Sequence, residues 1–153
     1  MKRFLVICLC FFLLSGCSLA ERKEKINSEK LQIVATLFPQ YDFAREIAGP
    51  LAEVTLLLPP GAESHSYEPT PADIIKINEA DLFIYTGDDM EAWVPAILES
   101  LESNPFILNI SADIDVHAEH DHPADHKHGA DPHVFTNPKF AVSMAQTLEN
   151  ALC

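Results

Sequence analysis

Residues 31 to 58 hold two short apolar runs separated by one helical pattern, and that order leaves few folds open. Leu31, Ile33 and Val34 lead through Ala35 to Phe38 and Pro39 as a strand. From Pro39 to Ala48, proline sits in the first turn of a helix. Tyr41, Ala44, Ile47 and Ala48 recur near helical spacing until Gly49-Pro50 stops it. Val54 to Leu58 is a second strand, ended by Pro59-Pro60-Gly61. Strand, helix and strand make a βαβ unit, whose crossover is expected to be right-handed and whose strands pair in parallel.

The pattern then repeats. A helix is expected over Pro71 to Ala80, with Thr70 as its N-cap, Asp73 in its first turn and Ile74, Ile75 and Ile77 partly buried. Leu82 to Tyr85 is a third strand and Gly87 to Met90 a turn. Glu91 opens a helix reaching Leu101, with Pro95 in its first turn. Phe106 to Ile110 is a fourth strand. Pro138 to Leu152 carries Phe140, Ala141, Met144, Ala145, Leu148 and Leu152 on one helical stripe. This alternation gives an α/β class with a parallel-type sheet flanked by helices. The final helix reaches Ala151-Leu152-Cys153 with no capping glycine or polar tail, so a larger protein is expected.

Met1-Lys2-Arg3 followed by the apolar run Phe4 to Leu14 has the form of a signal peptide and is short for a membrane span. Its cleavage region, Leu14-Ser15-Gly16-Cys17, resembles a bacterial lipoprotein signal, which implies that residues 1–16 are removed and that Cys17 is lipidated. A plainly secreted protein and a buried first helix are the alternatives. Residues 17–30, rich in Glu, Arg and Lys and without an apolar face, read as a tether. Loss of Lys2 and Arg3 takes the formal charge from −13 to −15, because no acidic residue leaves with them. A chain this acidic repels phosphate, which argues against nucleic acid as a partner and favours cations. Cys8 and Cys10 fall in the leader, and Cys17 and Cys153 offer no disulfide framework.

Six of the seven histidines fall between His117 and His133. His117, His120, His122, His126 and His128 alternate with Asp, Glu and Lys in a stretch with no apolar face, which reads as a hydrated loop. Neutral imidazoles interleaved with carboxylates suit loose capture of Zn(II), Cu(II) or Ni(II); an acidic hinge with no ligand role is the alternative. His133, in Asp-Pro-His-Val-Phe, stands at the entrance to the last helix and is a candidate for a more ordered ligand, or else a helix-entry histidine bonded to a backbone carbonyl. His65 lies in Gly61 to Pro71, a loop at the carboxyl end of a strand, where open α/β sheets place ligands. It is a candidate ligand, with a loop-bracing role as the alternative. Glu63 and Glu68 are weaker candidates, and Tyr67 and Trp93 read as packing or cleft-wall residues.

The leader, GAESHSYEPTP at 61–71, EADLFIYTGDDMEAW at 79–93, the His-rich stretch and DPHVFTNPKFA at 131–141 together resemble the metal-specific substrate-binding lipoproteins of ABC importers, the zinc and manganese class. The resemblance implies two α/β lobes joined by a long helix, with the ion between them. Residues 31–137 would form the amino-terminal lobe and 138–153 the start of the linking helix, where the chain is expected to stop. It also implies His65 and His133 as two ligands of the cleft ion, with the third and fourth supplied by a carboxy-terminal lobe that this sequence lacks. Phe135 stands where tryptophan is more usual. The implied protein is monomeric, anchored outside the cytoplasm through Cys17, and served by a permease and its ATPase.

The His-rich stretch resembles the zinc branch. Three histidines with a carboxylate or water suit tetrahedral Zn(II), whereas two histidines and two carboxylates suit Mn(II). Manganese binding, a surface adhesin and a metal-buffering lipoprotein are the alternatives. A zinc hydrolase is remote, because the sequence has no H-E-x-x-H helix, no G-x-S-x-G elbow and no general base placed beside either histidine. Intact-mass measurement on the membrane fraction is expected to find a lipid-modified mature terminus at Cys17; an unmodified terminus at another residue would reject the anchor.

Overall fold

The computed structural model describes residues 30–114 and 131–153. Leader residues 1–16, most of the tether and all five histidines from His117 to His128 lie outside these residues.

Four parallel strands form one sheet: β1 (Leu31–Ala35), β2 (Ala52–Leu56), β3 (Leu82–Tyr85) and β4 (Phe106–Asn109), in the spatial order β2-β1-β3-β4. The connections are α1 (Phe38–Ala48) with a 3-10 turn at Gly49–Leu51, then α2 (Pro71–Asn78), then α3 (Val94–Ser100). A second 3-10 turn at Val134–Thr136 leads into α4 (Pro138–Leu152). From β1 the chain moves outward to β2, returns to β3 on the other side of β1, and moves outward again to β4. The reversal therefore lies between β1 and β3, the place where doubly wound sheets open a crevice at their carboxyl edge.

Alternation along the central strands feeds two cores. Ile33, Ala35, Leu82 and Ile84 point to one face and pack with Ala44 of α1 and Met144 and Leu148 of α4. Val34, Phe83 and Tyr85 point to the other and meet Ile77 of α2 and Val94 of α3. A strand buried on both faces must be apolar throughout, which is why Leu82-Phe83-Ile84-Tyr85 shows no polar alternation.

Several sequence expectations shift in detail, the first strand ending at Ala35 rather than running on to Phe38, which opens α1. The second strand begins at Ala52 rather than Val54, because the parallel ladder pairs Leu31 with Ala52 and Ala35 with Leu56. Leu57 and Leu58 lie past that ladder yet still donate to the carbonyls of Ala35 and Thr36, at 2.8 and 3.1 Å. The helix expected from Glu91 starts at Val94, since the Glu91 side chain turns inward to accept the backbone N–H groups of Thr86 and Gly87. Ile75 faces solvent, because the core-facing positions of α2 are taken by Asp73 and Ile77.

Asp73 shows how a carboxylate belongs inside. Its Oδ2 accepts hydrogen bonds from Thr70 N–H (3.0 Å), Thr70 Oγ1 (2.7 Å) and Tyr67 Oη (2.9 Å), while Oδ1 accepts from Lys76 Nζ at 3.0 Å. Thr70 reciprocates by capping the Asp73 N–H, which closes a capping box on α2. Burial is the largest single influence on this carboxyl and raises its pKa. The bonds from Thr70, Lys76 and Tyr67 together outweigh it and bring the value down from 3.8 to about 2. Burial, helped by the Asp73 carboxylate, pushes the Tyr67 phenol up to about 12.

A carboxylate depressed in the folded state stabilises the fold above its unfolded pKa and loses that contribution as the pH falls through the folded value. The shift corresponds to about 2 kcal/mol. Asp73→Ala is expected to lower stability by about 1–3 kcal/mol at neutral pH. In urea titrations the gap from the unsubstituted protein should close between pH 3.8 and about 2. A gap that stayed constant across that range would remove the ionised carboxylate from the explanation.

Candidate metal centre

Because every strand is parallel, the loops after β1, β2, β3 and β4 emerge at the same edge. The loop after β2 begins with Pro59-Pro60-Gly61, where Ala62 N–H donates to the Pro59 carbonyl at 3.0 Å and Gly61 takes φ 82°, a left-handed conformation that a side chain would resist. Glu63 then holds the next turn: Oε1 accepts His65 N–H at 3.2 Å, and Oε2 accepts both Ser66 N–H and Ser66 Oγ at 3.0 Å. The His65 bond is the chief reason the Glu63 carboxyl lies below its ordinary range.

His133 is built the same way. Asp131 Oδ1 accepts the His133 N–H at 3.0 Å and meets its Nδ1 at 2.8 Å. These contacts, the backbone one first, hold the Asp131 carboxyl below its ordinary range. An ionised carboxylate can only accept, so Nδ1 is the donor, which in the neutral ring leaves the lone pair on Nε2. On the other side, Thr136 N–H and Oγ1 both donate to the His133 carbonyl, at 3.0 and 2.8 Å, and buried Val134 pins the 3-10 turn.

Two segments 68 positions apart thus bring their rings together. The His65 and His133 centroids are 5.3 Å apart with an interplanar angle of 76°, and both residues are exposed at the sheet's carboxyl edge. Each follows an acidic residue at two positions' distance that accepts its backbone N–H. That repeat is visible as Glu-Ser-His and Asp-Pro-His, though nothing in the sequence alone says that the carboxylates brace rather than ligate. Glu68 is exposed and Tyr67 walls the site: its ring meets Trp93 edge-on at 5.5 Å. Leu37, Leu58 and Met90 form an apolar floor together with Tyr67, Trp93 and Phe135, whose ring lies 6.1 Å from His133. Among the described residues no group of three or more His, Cys, Asp or Glu side chains is arranged to hold an ion, and the site they form is a pair of imidazoles. Cys17, His117, His120, His122, His126 and His128 lie outside the described residues.

The family model for ZnuA, the periplasmic zinc-uptake complex component A, matches residues 33–153. The chain belongs to this family. It is 42% identical over 147 residues to the high-affinity zinc uptake system protein ZnuA of Bacillus subtilis, covering 89% of this chain and 46% of that protein. In three dimensions it is similar to the metal-dependent lipoprotein YcdH of Bacillus subtilis, with TM-score 0.69 and 35% identity over 80% of this chain and 44% of the other. It is likewise similar to the Zn(II)-bound ZnuA-like domain of Streptococcus pneumoniae AdcA, with TM-score 0.68 and 33% identity over 80% and 43%. The chain spans less than half the length of these relatives. Membership in a ZnuA family described as periplasmic places the protein outside the cytoplasm.

The Asp131 contact has a spectroscopic consequence. Imidazole nitrogen NMR is expected to show His133 mainly as the Nδ1–H tautomer, and Asp131→Ala should move it toward the Nε2–H form that free histidine prefers. An unchanged tautomer in that variant would mean that the carboxylate does not orient the ring.

Proposed function

We propose that this chain is the amino-terminal part, residues 31–137 with the start of a linking helix at 138–153, of a receptor that captures Zn(II) outside the cytoplasm and delivers it to a membrane permease driven by an ATPase. The observation that carries the reading is the pairing of His65 and His133 at 5.3 Å, each braced by its own carboxylate, in a chain of the ZnuA family. Two imidazoles make half of a tetrahedral set, and borderline-soft Zn(II) prefers nitrogen donors to the all-oxygen shells of harder ions. The remaining ligands would come from the other lobe of a longer protein. That a relative of similar fold is described as Zn(II)-bound supports zinc as the ion.

In this reading His65 and His133 ligate through neutral nitrogens, and Asp131 aims the second ring. Protons compete for the same lone pairs, so binding weakens as the pH falls. His117, His120, His122, His126 and His128 form an auxiliary site of lower affinity, because a segment without a packed face must be ordered on binding. Lipid on Cys17 keeps the receptor beside its permease, and the protein binds its ion without transforming it.

A metal titration of the longest natural form, competing Zn(II) against Mn(II), tests the proposal. His65→Ala and His133→Ala should each weaken the tight Zn(II) site by at least about 100-fold, on the order of the 3 kcal/mol or more that losing a strong ligand implies. Glu68→Ala should leave it unchanged, and removal of residues 117–128 should abolish only the weak sites. Tight binding that survives the double alanine variant would overturn the assignment.

A further inference from the structure

The crevice between β1 and β3, where a doubly wound sheet ordinarily receives a ligand, is filled by the protein's own side chains. Thr36 and Thr86 directly follow these two strands, and both are buried, together with Gln40 of α1 and Glu91. Glu91 Oε1 accepts from Thr36 Oγ1 at 2.6 Å, and its two oxygens accept Thr86 N–H at 3.2 Å each, with Gly87 N–H at 3.1 Å from Oε2. Gln40 completes the set by accepting Leu37 N–H at 2.6 Å and donating to Thr86 Oγ1 at 2.6 Å. A carboxylate on converging backbone N–H groups at this position is the arrangement that would greet a bound anion.

We propose that Glu91 is a positioning residue for the histidine pair, a built-in anion whose carboxylate locks the two strand ends from which the histidine-bearing segments are supported. Two lines of contact run upward from it. Through Thr36 it fixes the carbonyl that receives Leu58 N–H at 3.1 Å, and Leu58 leads directly into the Pro59-Pro60-Gly61 turn before His65. Through its own backbone it sets Met90, which packs with Leu37, Leu58 and Phe135, the ring that lies 6.1 Å from His133. Leaving either line loose would let the two rings drift apart, and ligand pairs tolerate little drift. The inference rests on the reading of that pair as a Zn(II) site.

Glu91→Ala deletes Cγ, Cδ and both oxygens, the heavy atoms of acetate, and leaves the donors in place. The test follows Zn(II) titrations of the full chain through the imidazole resonances of His65 and His133, with thermal melting alongside. In Glu91→Ala those resonances should move, the melting temperature should fall, and affinity read at both rings should drop roughly tenfold, the scale of a lost charge-assisted bond. Acetate should restore all three toward the values of the unsubstituted protein in the same acetate, and propionate, one methylene larger, should restore less. Unchanged resonances and affinity in Glu91→Ala would overturn the proposal. So would acetate that restores melting but leaves affinity lost. If Glu91→Ala does not fold, Glu91→Gln is read instead: its amide turns an N–H toward the backbone donors and should weaken binding several-fold, whereas full affinity would overturn the proposal. If His65→Ala/His133→Ala shows that the rings bind no Zn(II), the metal reading falls, while the movement of both resonances in Glu91→Ala and its reversal by acetate still decide the positioning role.

Discussion

Parallel pairing of β1 with neighbours on both sides is the constraint on which everything else hangs. Its five residues register against Ala52–Leu56 on one flank, and Ile33 to Ala35 against Leu82 to Ile84 on the other. Parallel strands send every return connection back across a face and every outgoing loop to one edge. The two histidines, far apart in sequence, therefore have a common side on which to meet. An antiparallel hairpin at β1 and β2 would have sent the His65 turn to the opposite edge, where β1 begins, and cost the helix α1 its place in the core.

Much of this architecture was legible in residues. The β3 run from Leu82 to Tyr85, the Pro138 start of α4 and the stop at Gly49-Pro50 follow from periodicity and from chemistry that acts within a few positions. The α/β class followed from their order. Boundaries were less legible where long-range pairing decided them, as at Ala52, whose place in the strand depends on Leu31.

The site divides along the same line. His65 and His133 were visible as candidates because no apolar stripe claims them, and their proximity is a product of topology that no local pattern encodes. The bracing roles of Glu63 and Asp131 were hidden for another reason: a carboxylate two positions before a histidine looks alike whether it ligates or accepts a backbone N–H. Glu91 was the least legible. It reads as an ordinary acidic residue opening a helix, yet it is fully buried with its oxygens satisfied from two strand ends. Such a residue is found only by asking where the last backbone donors of each strand go.

Trp93 is the only tryptophan in the chain, and its edge-on contact with Tyr67 joins it to the loop that carries His65. Its indole nitrogen is buried with no acceptor among the described residues. The ring as a whole is half-buried, so its emission responds to the water around it, and a tyrosine ring 5.5 Å away passes excitation to it efficiently. The molecule consequently contains a native optical reporter, set in the wall of the cleft, whose colour and brightness follow the solvation of that wall without any added dye.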